Sequence, residues 1–180
     1  MYKKIPTYKN KEWSYTEFET KESYIKYLTT LFREPGQYEF DEVALDFNKQ
    51  ATVFNNQGFY CNKPFRSKDY IKYWNDQKEK CREGVIYHGK KQVWYVTRDY
   101  YMWLNFLPIF DKEEKKYGFA KVRDAQYHMA LYEILAEENY KHVAILKKRQ
   151  IASSYFHMAK IINQFWFEEG SICKIGASLK

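Results

Sequence analysis

The residues best placed to do chemistry lie between positions 142 and 159, where HVAIL is followed by KKRQIASS and then by YFHMA. Residues 142–146 are apolar or nearly so, with no polar alternation, which predicts a strand buried on both faces. Tyr155, Met158, Ala159, Ile162, Phe165 and Trp166 recur at helical spacing and predict a helix with one apolar face. Between the two lies a polar, cationic loop from Lys147 to Ser154. Strand, tight loop and helix is the plan of a phosphate-binding loop, because a helix N-terminus presents unpaired N–H groups and positive dipole to an anion. The usual pattern, G-x-x-x-x-G-K-[ST], uses glycines to curl the backbone round phosphates and a lysine before the hydroxyl. Here Ala152 and Ser153 occupy the places of the second Gly and the Lys, and Ser154 alone keeps its type. The alternative is an ordinary strand-to-helix turn with solvated lysines.

Two further groups bear on that chemistry. Gln126 falls on the first turns of a helix ahead of the strand, and an amide that donates and accepts at once suits the N6/N7 edge of adenine. The alternative is a half-exposed polar helix residue. The run LNFLPIFDKEE ends in acids, as a magnesium-binding strand does, but Pro108 would interrupt that strand and the acids precede the loop. It reads as a helix end and a charged turn, which leaves no apolar strand ending in paired acids to activate water. The chain by itself is therefore expected not to hydrolyse a nucleotide.

These groups need elements to hold them. Residues 1–19 have no firm period and read as a loosely ordered lead-in. Helices are predicted over 21–34, stopped by Pro35-Gly36, over 40–51, and from the Ser67 cap to about Arg82 with Ile71, Trp74 and Cys81 inward. The residues Asn55 to Gly58 read as a turn, and FYCNKPF after it as irregular. Residues 85–87 and 93–96 flank a hairpin signal at His88-Gly89-Lys90-Lys91. Thr97 caps an almost wholly apolar helix over 100–107, and another helix covers 122–138. Residues 171–177 read as a second strand, which with 142–146 would form a right-handed, parallel β-α-β unit.

Composition sets wide bounds. A chain of 180 residues with 45% hydrophobic content supports one globular core. The net charge of +7 suits nucleic-acid or nucleotide partners and equally a basic surface. Its 18 tyrosines mean packing surfaces or stacking sites. Cys61, Cys81 and Cys173 lack the paired spacing of a zinc site and read as free thiols of a reducing compartment. The N-terminus has no signal-peptide pattern, and no apolar run reaches membrane-spanning length, so an intracellular protein is expected.

RDYYMWLNFLPI at 98–109, VRDAQYHMALYEIL at 122–135, HVAILKKRQIASSYFHMAKI at 142–161 and KIGAS at 174–178 together resemble the N-terminal part of a terminase large subunit, the DNA-packaging motor ATPase of tailed bacteriophages. The likeness is to those of crAss-like phages and runs from about Phe59 onward. It implies an α/β protein: a helical and hairpin section over 1–110, then the first β-α-β unit of an ASCE-type P-loop NTPase core over 111–180, incomplete at the C-terminus. It also implies a deviant Walker A loop. Lys147 matches the basic residue at the loop's front, Arg149-Gln150 resembles a pair found in other members, and Ser154 matches the hydroxyl on Mg²⁺. Gln126 matches the adenine-recognising glutamine. The implied nucleotide site comprises Gln126, Lys147, Lys148, Arg149, Gln150, Ile151, Ala152, Ser153 and Ser154, with ATP and Mg²⁺ as cofactors and no catalytic residue. Partners implied are double-stranded viral DNA, a portal protein and a small terminase subunit, in an oligomeric ring at the procapsid portal vertex in the host cytoplasm. The family's Walker B strand, coupling motif and nuclease domain would follow position 180, so a fragment, a truncated reading frame or an interrupted gene is expected. A rival reading is a non-enzymatic, basic and aromatic-rich module for nucleic-acid binding or virion assembly.

Overall fold

The structure is a computed structural model, and it describes residues 2–10, 12–32, 44–90, 92–111, 115–146, 152–174 and 176. The chain folds as mixed α/β. The residues expected to be a loose lead-in instead form a hairpin, β1 (Lys3–Lys9) and β2 (Glu12–Phe18), in register from Lys3↔Phe18 to Lys9↔Glu12. Two features explain the difference. Asn10 takes the left-handed φ of 52° that a tight hairpin turn requires, and Ile5 and Tyr8 have a core to enter. β1 then runs parallel to β3 (Val85–His88), which pairs antiparallel with β4 (Val93–Val96), giving the order β2-β1-β3-β4. β3 meets β1 only at Thr7 and Tyr8, beyond Pro6, whose missing N–H therefore interrupts no β1–β3 bond.

Between β2 and β3 stand α1 (Lys21–Thr30), α2 (Ala44–Phe47), α3 (Lys49–Gln57) and α4 (Lys68–Glu83). Thr20 and Ser23 form a reciprocal capping box at the start of α1, and Ser67 Oγ accepts from the Tyr70 N–H to start α4 as expected. The helix expected over 40–51 is broken at Asn48, and α3 runs through the predicted Asn55 turn to a left-handed Gly58. Tertiary contact makes the break. Asn105, wholly buried, accepts from the Gln50 N–H at 2.9 Å and donates to the Phe47 carbonyl at 2.7 Å. Ile71, expected inward, is exposed. The stop signal Pro35-Gly36 lies outside the described residues.

α5 (Arg98–Phe106) is the central helix, buried from Asp99 to Asn105 and capped by Thr97. After Pro108 comes a short hairpin, β5 (Ile109–Asp111) and β6 (Lys116–Gly118), then α6 (Asp124–Glu138) and α7 (Ser153–Phe167). Buried tyrosines join these elements by both ring and hydroxyl. Tyr127 Oη accepts from the Tyr95 N–H at 3.1 Å, Tyr101 Oη donates to Gln77 at 2.6 Å, and Tyr87 Oη donates to the Asp46 carbonyl at 3.0 Å. Packing is thus the role of these rings.

The β-α-β unit is not formed among the described residues. Residues 142–146, expected as a doubly buried strand, are irregular, with Leu146 fully exposed. Of residues 171–177, expected as the second strand, 171–174 are irregular too, with Ile172 exposed, and 175 and 177 lie outside the described residues. A strand needs a neighbour for its N–H and C=O groups, and the two sheets of the described residues, β1–β4 and β5–β6, pair with neither segment. The N-terminal section, expected as helices and one hairpin, carries that whole sheet.

One buried charge is out of place. Lys80 of α4 is only 2% exposed, and its Nζ lies 3.1 Å from the centre of the Trp13 ring. Burial pushes its pKa down to about 7, with Asp76 acting against that and Lys49 with it. A folded pKa below the unfolded one means that folding expels a proton in neutral solution, so stability rises with pH until the unfolded lysine also titrates. Lys80→Met is expected to stabilise the fold by about 1–3 kcal/mol near pH 7 and to abolish the parent's rise in stability toward about pH 10. Paired urea melts check both, and a Met variant less stable than the parent near neutrality would refute the account.

Candidate functional site: the N-terminal end of α7

α7 is bound to three other helices, and those bonds decide where the loop before it ends. Its buried face, with Phe156 and Ala159, packs on α5, where Tyr155 also stacks on Trp103. Asn163 donates to the Cys81 carbonyl at the end of α4 and to Asp99 Oδ1 on α5, at 2.8 and 3.0 Å. On α6, Glu133 accepts from His157 Nε2 at 3.0 Å and from Lys160 Nζ at 2.9 Å, and Lys160 also pairs with Glu137. Arg98 ties the far end, bonded to Glu137 at 3.2 Å and paired with Glu168.

Charge is arranged consistently in this network. The hydrogen bond to Glu133 raises the His157 pKa against the effect of burial. Burial pushes the Glu133 carboxyl up, but His157 and Lys160 outweigh it and hold it below its ordinary value. Asp99 is pushed up to about 6 by burial, with Arg98 opposing.

Ser153, His157 and Glu133 stand in the order of a nucleophile, a base and an orienting acid, with Ser153 Oγ 3.2 Å from His157 Nδ1. The protons exclude that chemistry. Nδ1 lies 2.7 Å from the Ser153 carbonyl, which can only accept, so Nδ1 carries a proton and offers the Ser153 hydroxyl no lone pair to act as base. Ser153 is also buried. The trio is a clamp that fixes the first turn of α7.

The residues singled out from sequence fall as follows. Lys147, Lys148, Arg149, Gln150 and Ile151 lie outside the described residues. Ala152 is the N-cap of α7 at φ 55°, ψ 18°, and no side chain caps the helix. A left-handed φ at an alanine is the backbone of a glycine position and is strained by about 1–2 kcal/mol. Ser154 is exposed at the second position of α7. Gln126, which was read as either adenine-binding or half-exposed, is buried at 2% exposure in the first turn of α6. It stands two turns before Glu133 on the same face of α6. His157 and Lys160 meet Glu133, and Lys160 reaches on to Glu137, so α6 and α7 advance in one direction. Gln126 and the start of α7 thus belong to the same end of the helix pair.

Sequence reasoning missed the Glu133–His157–Lys160 clamp. The i, i+3 spacing of His157 and Lys160 was visible, but nothing in the sequence assigned their partner on another helix. Among the described residues no group of three His, Cys, Asp or Glu side chains is placed to hold a metal ion. No helix among them is long and apolar enough to cross a membrane. The chain was compared with protein-family profiles, curated proteins and solved structures. None of the three comparisons finds a match.

Proposed function

We propose that this chain is the ATP-binding N-terminal part of a terminase large subunit, acting in the motor that packages viral double-stranded DNA into procapsids. The observation that carries the reading is the start of α7. Ala152 bends there through a glycine-type conformation, and the helix opens without a side-chain cap, so its first N–H groups are available to an anion. The cationic run Lys147, Lys148 and Arg149 leads directly into that bend. In this reading Lys147 and Arg149 supply charge to the phosphates, and the exposed Ser154 hydroxyl is the protein's ligand to Mg²⁺. Mg²⁺, when bound, neutralises phosphate charge. Gln126 would read adenine from the same end of the α6–α7 pair. The finer fold proposed is the opening of an ASCE-type P-loop core, with residues 142–146 becoming a strand when a neighbouring strand pairs with them. Double-stranded DNA, a portal protein and a small terminase subunit are the partners proposed, in a ring at the portal vertex.

Ligand-induced stabilisation tests this. With Mg-ATP at about 100 times its dissociation constant, binding to the folded state alone adds about 2.7 kcal/mol, a Tm rise of roughly 5–10 °C. Lys147→Ala is expected to abolish that rise and Lys148→Ala to keep it, since Lys147 is the residue that matches the basic position at the front of the family's deviant loop. No rise in the parent chain, or an equal rise in Lys147→Ala, would refute the nucleotide reading.

A further inference from the structure

Among the described residues some cations hold carboxylates and others do not. Lys3, Arg98 and Lys160 are each paired with carboxylates. Lys63, Arg66, Lys68 and Lys72 are exposed, and none of them forms an ion pair among the described residues. All four lie on or beside one turn, and Asp69 is the single acid within 61–72. The turn itself spans Pro64 to Ser67, closed by the Ser67 N–H on the Pro64 carbonyl at 3.0 Å.

Its two central residues are unusual. Arg66 sits at φ 63°, at the turn position where glycine or asparagine is ordinary. Phe65 is 73% exposed, with the Arg66 guanidinium 5.2 Å from its ring centre and the Tyr70 ring at 5.4 Å meeting it nearly edge-on. Lys68 opens α4, where a cation opposes the helix dipole. A left-handed arginine and a lysine at the head of a helix both cost the fold stability. An exposed aromatic ring, an arginine beside it and three lysines nearby in the chain, without ion pairs among the described residues, suit one class of ligand.

We infer that this turn binds single-stranded nucleic acid, with Phe65 as the platform on which a base stacks and Lys63, Arg66, Lys68 and Lys72 meeting phosphates. Stacking on an aromatic ring combined with phosphate neutralisation is how sequence-tolerant single-strand sites are built. A duplex keeps its bases stacked inside and offers Phe65 no face. An acidic peptide would answer the charge but leave the ring without a flat partner. The inference does not depend on the nucleotide reading of α7.

Fluorescence anisotropy on the full chain tests it, with a labelled oligothymidylate of about twelve nucleotides, an abasic strand of equal length, a duplex and polyglutamate as probes. Phe65→Ala is expected to weaken the oligothymidylate roughly tenfold and to leave the abasic strand unchanged. Arg66→Gly suits the backbone, so its Tm should be maintained or raised, while the salt dependence of binding falls by about 0.7 in log–log slope. Lys26→Ala, an exposed lysine on α1, should change neither stacking nor Tm. Equal loss on both strands in Phe65→Ala, polyglutamate binding as tightly as the oligothymidylate, or Arg66→Gly keeping the parent's salt slope would each overturn the inference.

Discussion

Gly84→Ala is expected to lower stability by about 3–5 kcal/mol, and the Tm by roughly 10 °C. Gly84 joins α4 to β3 at φ 76°, ψ −168°, a conformation open in practice to glycine alone. Its N–H closes α4 on the Lys80 carbonyl at 2.8 Å, so the residue does not swing away freely. A Cβ built there would lie 2.6 Å from the Val96 carbonyl oxygen, 2.7 Å from Tyr95 Cε2 and 2.8 Å from Tyr95 Oη. Val96 O is backbone of β4, directly across the ladder from Val85. Tyr95 is itself held by its bond to the Glu83 carbonyl at 2.7 Å. Backbone strain and a clash with groups unable to yield therefore add. Thermal and urea melts measure the loss, and a Tm within about 2 °C of the parent would show that the α4–β3 joint relaxes, contrary to this account.

Glu133→Ala should cost about 2–3 kcal/mol near pH 5.5, because it strips a buried carboxylate from two cationic partners. The loss is below the full value for a broken buried pair, since Lys160 keeps Glu137 and His157 is part-exposed. Its pH dependence separates the charges. The Glu133 pKa is lowered in the fold, so its contribution is present above the ordinary value of 4.5 and is lost as pH falls through the folded value. The His157 pKa is raised, so its contribution is full below the ordinary 6.5 and is lost as pH rises through the folded value. Parent and variant should thus differ most between these two values and less on either side. On the alkaline side the gap shrinks only to the share of Lys160. A difference that stays constant across the range would remove His157 from the clamp. If the chain binds ATP as proposed, the same variant should also reduce the stabilisation by Mg-ATP, because the first turn of α7 loses its anchor.

The helices starting at Ser67 and Thr97, the hairpin from Val85 to Val96 and the helix carrying Tyr155 to Trp166 were legible because each is specified by local signals. Those signals are a cap, a turn and a hydrophobic period, all set by neighbours within a few residues. The failures share a different cause. The segment HVAIL is as apolar as a core strand, yet none of it is buried and only Val143 and Ile145 are half-buried, because hydrophobicity states a preference for burial without supplying the strand that satisfies it. The lead-in before Glu19 looked aimless, yet it enters the sheet through Ile5 and Tyr8, since β3 lies ready beside it.

The candidate site divides along the same line. Residue types alone placed a cationic, hydroxyl-bearing loop at the start of a helix and a glutamine on the preceding one, because phosphate and adenine chemistry are written in side-chain identity. Only the tertiary structure put Ala152 into a left-handed bend, buried Gln126, and tied α7 to α6 through Glu133, His157 and Lys160. Backbone strain and buried ion pairs arise when helices dock and desolvate one another. A linear chain specifies the groups that enter such contacts, but their partners are chosen by packing.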